Sequence, residues 1–124
     1  MRDTTTAEAT VLAVIAATDA ADVDRLSELV SDDIRLQFGS NEPTVGKQAL
    51  LDGAIAFNAS IASIKHDIGS LWHVDSDVVI TEMTVHYERL DGRRLSLPCT
   101  NIFRVRGGRI ADYRVYMDIA PVFA

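Results

Sequence analysis

The last third of the chain alternates apolar and polar residues so regularly that it fits little except a small antiparallel sheet. Val78 to Glu88, Leu95 to Arg106 and Arg109 to Ile119 read as three strands. Asp91-Gly92 and Gly107-Gly108 separate them, and glycine accepts the positive φ that tight hairpin turns demand. Successive side chains on a strand point to opposite faces. Leu95, Leu97, Cys99, Phe103 and Val105 therefore share one face of the middle strand, while Thr100, Arg104 and Arg106 share the other. Asn101 interrupts the apolar row. A buried amide is costly unless it is hydrogen-bonded, so a neighbour or a ligand must meet it, which is a first hint of a pocket.

Composition removes several classes of function. The 124 residues suit a single domain spanning 1–124, and 48% hydrophobic with 24% charged residues is a globular profile. With 12 basic against 18 acidic residues the net charge is −6, and no basic stripe with interleaved aromatics is present, so nucleic acid is not an expected partner. The longest largely apolar stretch, Ala9 to Ala17, is about half of the roughly 20 residues that span a bilayer. No membrane association is expected, and without a signal-peptide pattern the expected location is the cytoplasm. Cys99 is the only cysteine, which rules out an intrachain disulfide and leaves an inert buried thiol as the expectation. His66, His73, His86 and the scattered carboxylates show no metal-ligand spacing, and no glycine loop could cradle phosphate. No cofactor or metal is expected.

The first half reads as helical. Thr5 with Glu8 forms a capping box, so a helix begins near Thr6 and carries Val11, Val14, Ile15 and Thr18 on one face. Asp22 caps a second, short helix with Leu26, Leu29 and Val30 as its buried stripe, ended by Ser31-Asp32-Asp33. Ile34, Leu36 and Phe38 mark a short strand, and Gly39 to Gly46 a loop broken by Pro43. Leu50, Ala54, Phe57 and Ile61 define a third helix from Lys47 to about Ser60, followed by a strand from Ile64 to Val74 and a turn at Asp75-Ser76-Asp77.

Helix, helix, strand, helix and four antiparallel strands make an α+β fold. Three helices cover one side of the sheet, so the sheet curls around them and leaves a cone with an apolar interior. Alternation assigns the inner face to Val79, Thr81, Met83, Val85 and Tyr87, then Leu97, Cys99, Asn101 and Phe103, then Tyr113, Val115 and Met117. The outer face holds Glu82, Thr84, His86 and Glu88 beside Thr100, Arg104 and Arg106, with Asp112, Arg114, Tyr116 and Asp118 next to them, so opposite charges can pair across strands. Arg114, Tyr116 and Asp118 resemble a catalytic set, but unless a bulge turns them toward the pocket their parity puts them outside, in a structural or dimer-interface role.

The element order, Asp32-Asp33, the Asn101-Ile-Phe-Arg-Val-Arg-Gly-Gly hairpin and the Arg109-Ile-x-x-Tyr-Arg-x-Tyr-x-Asp run together resemble the SnoaL-like branch of the nuclear transport factor 2-like superfamily. The resemblance covers nearly the whole chain. It implies a cone-shaped, cystatin-like α+β barrel, with three N-terminal helices in the concave face of a curved, mainly antiparallel sheet, and a homodimer through the outer sheet face, but not one activity. The ketosteroid isomerase set falls at Val14, Asn101 and Phe38, where only the asparagine can donate a hydrogen bond. The relay and water anchors of limonene epoxide hydrolases fall at Val115, Met83, Val85, Leu36 and Phe38, which hold no water. In the dehydratase and dehydrochlorinase branch, a histidine opening the strand after the third helix is oriented by an aspartate near the end of the first. His66 and Asp19 stand at similar places. An arginine that assists some of those enzymes is replaced by Val115, which argues against chloride loss.

An imidazole, with an intrinsic pKa near 6.5, is a competent base at neutral pH, and a carboxylate fixes its tautomer. His66 shares parity with Ile68 and Trp72, which suggests that it points inward. The expected catalytic set is thus His66 as base, Asp19 as its orienter and Asn101 as donor to a carbonyl or enolate oxygen. Phe38, Phe57, Trp72, Met83, Val85, Cys99, Tyr113, Val115 and Met117 are the expected substrate-binding wall, with Trp72 and Tyr113 as its aromatic part. Two readings follow. One is a cofactor-independent dehydratase, isomerase or cyclase acting by acid-base chemistry on a small hydrophobic carbonyl metabolite. The other is a non-catalytic binder of a hydrophobic ligand, or a pseudoenzyme dimer of the same fold.

Overall fold

Helix α1, Thr4–Asp19, begins a chain whose computed structural model describes residues 4–124, with side chains from residue 6 onward. The side chain of Thr5, the expected cap, lies outside the described residues. Glu8, its expected partner, lies with Oε1 2.9 Å from Nε2 of His73. Val11, Val14 and Ile15 are buried, as their helical spacing requires. The helix closes in a Schellman motif: the Asp22 N–H donates to Ala17 O at 2.9 Å and the Ala21 N–H to Thr18 O at 3.1 Å. Ala21 occupies the left-handed position at φ 54°, where glycine is usual. Asp22 then caps α2, Val23–Leu29, by accepting from the Arg25 N–H at 3.0 Å.

Strand β1, Val30–Phe38, follows α2 directly, so Ser31-Asp32-Asp33 lies inside a strand instead of ending the helix. The three residues form an irregularity, because pairing with the last strand shifts between Val30 and Arg35. Asp33 is held there by Ser31 Oγ at 2.8 Å and Arg106 at 2.6 Å, which together keep its carboxyl below the usual range. A two-residue strand absent from the sequence reading, β2 (Thr44–Val45), pairs with β1 and leads into α3, Lys47–Ala59. Then come β3 (Ser63–Asp75), β4 (Val78–Glu88), β5 (Arg94–Arg106), β6 (Arg109–Tyr116) and a terminal turn of helix, α4 (Ala120–Phe123). The last strand stops short of Ile119 because the Asp118 carboxylate accepts from the Ala120 N–H at 3.0 Å and turns the chain into α4.

The six strands form one curved sheet in the order β2-β1-β6-β5-β4-β3. Neighbours are antiparallel except β1 and β6, which run parallel. The sheet stays open, with β2 and β3 as its edges, so the barrel is an unclosed cone. Irregularities in β3 and β6 also reset the alternation. In β3 the pairing steps from Ile68–Met83 to Ser70–Glu82, which leaves Gly69 as an extra residue and reverses the side chains from Ser70 to His73, before a second shift between His73 and Asp75. In β6 the extra residue Ala111 lets both Ile110 and Tyr113 face inward.

Candidate active site

Beneath the helices, α1 and α3 meet the sheet differently. Helix α1 lies against β3, β4, β5 and β6, and its Val11, Val14 and Ile15 join Val79, Val85 and Phe103 in the buried core. The close contacts of α3 are with α2, β1 and β2, so a gap remains between it and the β5–β6 part of the sheet. That gap is a cavity of about 370 Å³. Its helical wall sets the small residues Ala17, Ala21, Ala49, Gly53 and Ala54 among Leu26, Leu50 and Phe57, and its sheet wall includes Leu36, Phe38, Tyr113 and Val115. Phe57 leans over it, edge-on to Tyr87 at 6.4 Å and to Phe123 at 6.2 Å. Neither lysine nor arginine lines it among the described residues.

His66 sits early in β3, opposite Val85, with its side chain 7% exposed and lining this cavity. Asp19 is the last residue of α1, and its carboxylate grips the histidine twice. Oδ1 lies 2.5 Å from Nδ1 of the ring, and Oδ2 accepts the His66 backbone N–H at 2.9 Å. An acceptor at Nδ1 places the proton on that nitrogen and leaves Nε2 as the basic edge, without a protein partner among the described residues. An acid in the last turn of a helix meets the negative end of the helix dipole, which costs a few tenths of a kcal/mol to about 1 kcal/mol. Asp19 therefore contributes little as a helix residue, whereas both of its oxygens are committed to the histidine.

The second polar cluster lies on β5 and β6. Cys99 Sγ donates to Asn101 Oδ1 at 3.2 Å, and Asn101 Nδ2 donates to Tyr113 Oη at 3.4 Å. The tyrosine ring is braced on Phe103, centroid to centroid 4.5 Å. Burial pushes the Cys99 thiol up to about 11 and, with the nearby thiol and the Tyr87 phenol, holds the Tyr113 hydroxyl well above its ordinary value. Both groups thus stay protonated at neutral pH.

Of the residues expected in the wall, Phe38, Phe57, Cys99, Tyr113, Val115 and Met117 line the cavity together with His66 and Asn101. Trp72 does not. The Gly69 bulge reverses it, so it pairs with Ile80 on the outer face and is 48% exposed. Met83 and Val85 point inward but are buried in the core beneath α1, away from the cavity. Sequence reasoning missed the small residues of α1 and α3, Tyr87, and the terminal Ile119 and Phe123. The run of alanines and Gly53 in α3 was the available signal, since small residues on an inward helix face leave space. Arg114 lies on the outer face, its Nε 3.0 Å from Asp112. His86 is also outside, bonded to Ser96 at 2.8 Å.

Helices packed in the concavity of an open, mixed sheet, with an acid-base pair at the edge of an apolar cup, define a nuclear transport factor 2-like protein. The chain belongs to the SnoaL-like domain family, whose model matches residues 11–113. Solved structures agree. A protein assigned as a SnoaL-like polyketide cyclase from Jannaschia sp. CCS1 is 18% identical with a TM-score of 0.83, covering 96% of this chain and 90% of that one. An LEH-like epoxide hydrolase of M. tuberculosis is 22% identical with a TM-score of 0.83, covering 96% and 87%. TerC, co-crystallised with polyporic acid, is 13% identical with a TM-score of 0.83, covering 95% of each chain. At these identities the likeness is one of fold. Comparison with curated proteins finds no match. No helix among the described residues is long and apolar enough to cross a membrane.

Proposed function

We propose that the chain is a cofactor-independent enzyme of dehydratase, isomerase or cyclase type, acting on an uncharged, ring-sized carbonyl compound with His66 as its base. The observation that carries this reading is the two-point grip of Asp19 on His66, which fixes both tautomer and direction before a substrate arrives. In the first step Nε2 takes a proton from the carbon next to the carbonyl. The C–H bond breaks, its electron pair moves toward the carbonyl oxygen, and Asp19 stabilises the imidazolium that forms. The same imidazolium returns the proton to another position, or to a leaving hydroxyl. A wall without lysine or arginine favours a neutral substrate over a carboxylate.

Exchange of the α-hydrogens of 1-indanone in D2O, followed by NMR, tests this directly. Wild-type protein is expected to exchange them faster than buffer, His66→Ala to lose the acceleration, and Asp19→Asn to lose most of it. Equal exchange by His66→Ala would remove the histidine from the mechanism. The apolar lining supports a second reading, a binder of hydrophobic ligands, which predicts saturable ketone binding with no exchange.

The reading includes a homodimer through the outer sheet face. Trp72, Ile80 and Ile102 are cross-strand neighbours there and make one continuous apolar row beside the exposed Tyr116. A second copy presenting the same row would cover it, and Trp72→Glu is expected to shift the mass in light scattering from dimer to monomer.

A further inference from the structure

We propose that Tyr113, aimed by Asn101, is the group that hydrogen-bonds the carbonyl oxygen of the substrate. This rests on the acid-base reading above and assigns its electrophilic half to a residue that the sequence pointed to only as part of an aromatic wall. The sequence reading gave that task to Asn101, but the amide is 1% exposed and already engaged on both sides, by Cys99 and by Tyr113.

Hydrogen-bond direction decides the matter. A protonated thiol is a donor and a poor acceptor, so the amide oxygen faces Cys99 and the amide NH2 faces Tyr113. The phenol oxygen therefore receives a hydrogen bond and keeps its own proton to give. Among the described residues no group accepts that proton, whereas the other phenol in the cavity, Tyr87, donates to Met117 Sδ at 3.6 Å. Tyr113 lines the cavity that also holds His66, and Phe103 fixes its ring. The chain Cys99 to Asn101 to Tyr113 runs in one direction, and each donor in such a chain strengthens the next. As His66 removes the α-proton, negative charge gathers on the carbonyl oxygen. Tyr113 stabilises that charge through the O–H bond and retains its proton, since burial disfavours the phenolate.

The carbonyl stretch of 1-indanone labelled with carbon-13 at the carbonyl reads this contact without requiring turnover. Infrared difference spectra of the full chain saturated with the ketone are expected to show the band at lower wavenumber than in an aprotic solvent. Tyr113→Phe keeps the ring against Phe103 and is expected to return the band at least halfway. Tyr87→Phe is expected to leave it in place, and Asn101→Ala to give an intermediate shift. His66→Ala is expected to leave the band in place while abolishing hydrogen exchange, so failure of the base and failure of the donor are told apart. An unshifted band in wild type, no bound ketone at millimolar concentration, or a full shift in Tyr113→Phe overturns the proposal. An unchanged band in Asn101→Ala overturns its positioning half.

Discussion

Helices α1 and α3 cover the same face of one sheet, yet one side is solid and the other hollow. Under α1 the inward residues are Val11, Val14 and Ile15, and they fill the space to Val79, Val85 and Phe103. Under α3 the residues that line the space are Leu50 and Phe57 with the small Ala49, Gly53 and Ala54 between them, and the space opposite Tyr113 and Val115 stays open. The concave face of the sheet is apolar under both helices, so the reach of the helix side chains and the distance of each helix from the sheet decide where a cavity forms. Burial on the α1 side stabilises the fold, and the polar groups His66, Asn101 and Tyr113 line the α3 side.

The largest effect should come from the solid half. Phe103→Ala is expected to cost about 3–5 kcal/mol, measured by urea denaturation, because a fully buried ring leaves a hole that its neighbours cannot fill. Adding volume contrasts the halves more sharply. Val14→Leu should cost about 1–3 kcal/mol by overpacking a fully buried site. Ala54→Leu, at the cavity wall, should cost less than about 1 kcal/mol while weakening 1-indanone binding at least about tenfold. Equal costs at the two positions would show that the halves are packed alike.

A pH effect sharpens the same contrast from the cavity floor. The Cys99 thiol titrates near 11 in the folded chain, above its ordinary value of 9.0. A raised folded value means the native state holds the proton longer than the unfolded one, so this stabilising contribution is complete below pH 9 and is lost as pH rises through 11. Cys99→Ala should flatten that alkaline limb of the stability curve, by on the order of 1 kcal/mol once solvent screening is discounted.

Smallest are two backbone effects on the hollow side. Gly53 lies inside α3 with open space where a Cβ would go, so Gly53→Ala should stabilise by about 0.5–1 kcal/mol. Ala21→Gly should stabilise by up to about 1 kcal/mol, since the left-handed residue closing α1 loses its steric cost. Both are checked by thermal denaturation.

The His66–Asp19 pairing was legible through the family resemblance, which implies a histidine at that strand start and an aspartate at that helix end, each counted from a nearby anchor. Asn101 was legible as a polar break in an apolar row, although the side chain it serves was not. Trp72 was misplaced because parity carries only as far as the next bulge, and nothing in Ile68-Gly69-Ser70 except the glycine announces one. Met83 and Val85 were rightly read as inward, but alternation cannot distinguish an inward residue that meets a helix from one that meets a void.

Local chemistry written in the sequence was enough to determine β3, β4 and β5, the two glycine hairpins, the Asp22 cap and the chemical types present at the site. Propensity, periodicity and turn geometry each act over a few residues. The tertiary structure alone decided which inward residues face open space, which proton of the Cys99–Asn101–Tyr113 chain is free, and that Asp19 reaches His66 with both oxygens. Those outcomes depend on the summed volumes and hydrogen-bond directions of residues far apart in the chain, and they are settled only when the helices dock on the sheet.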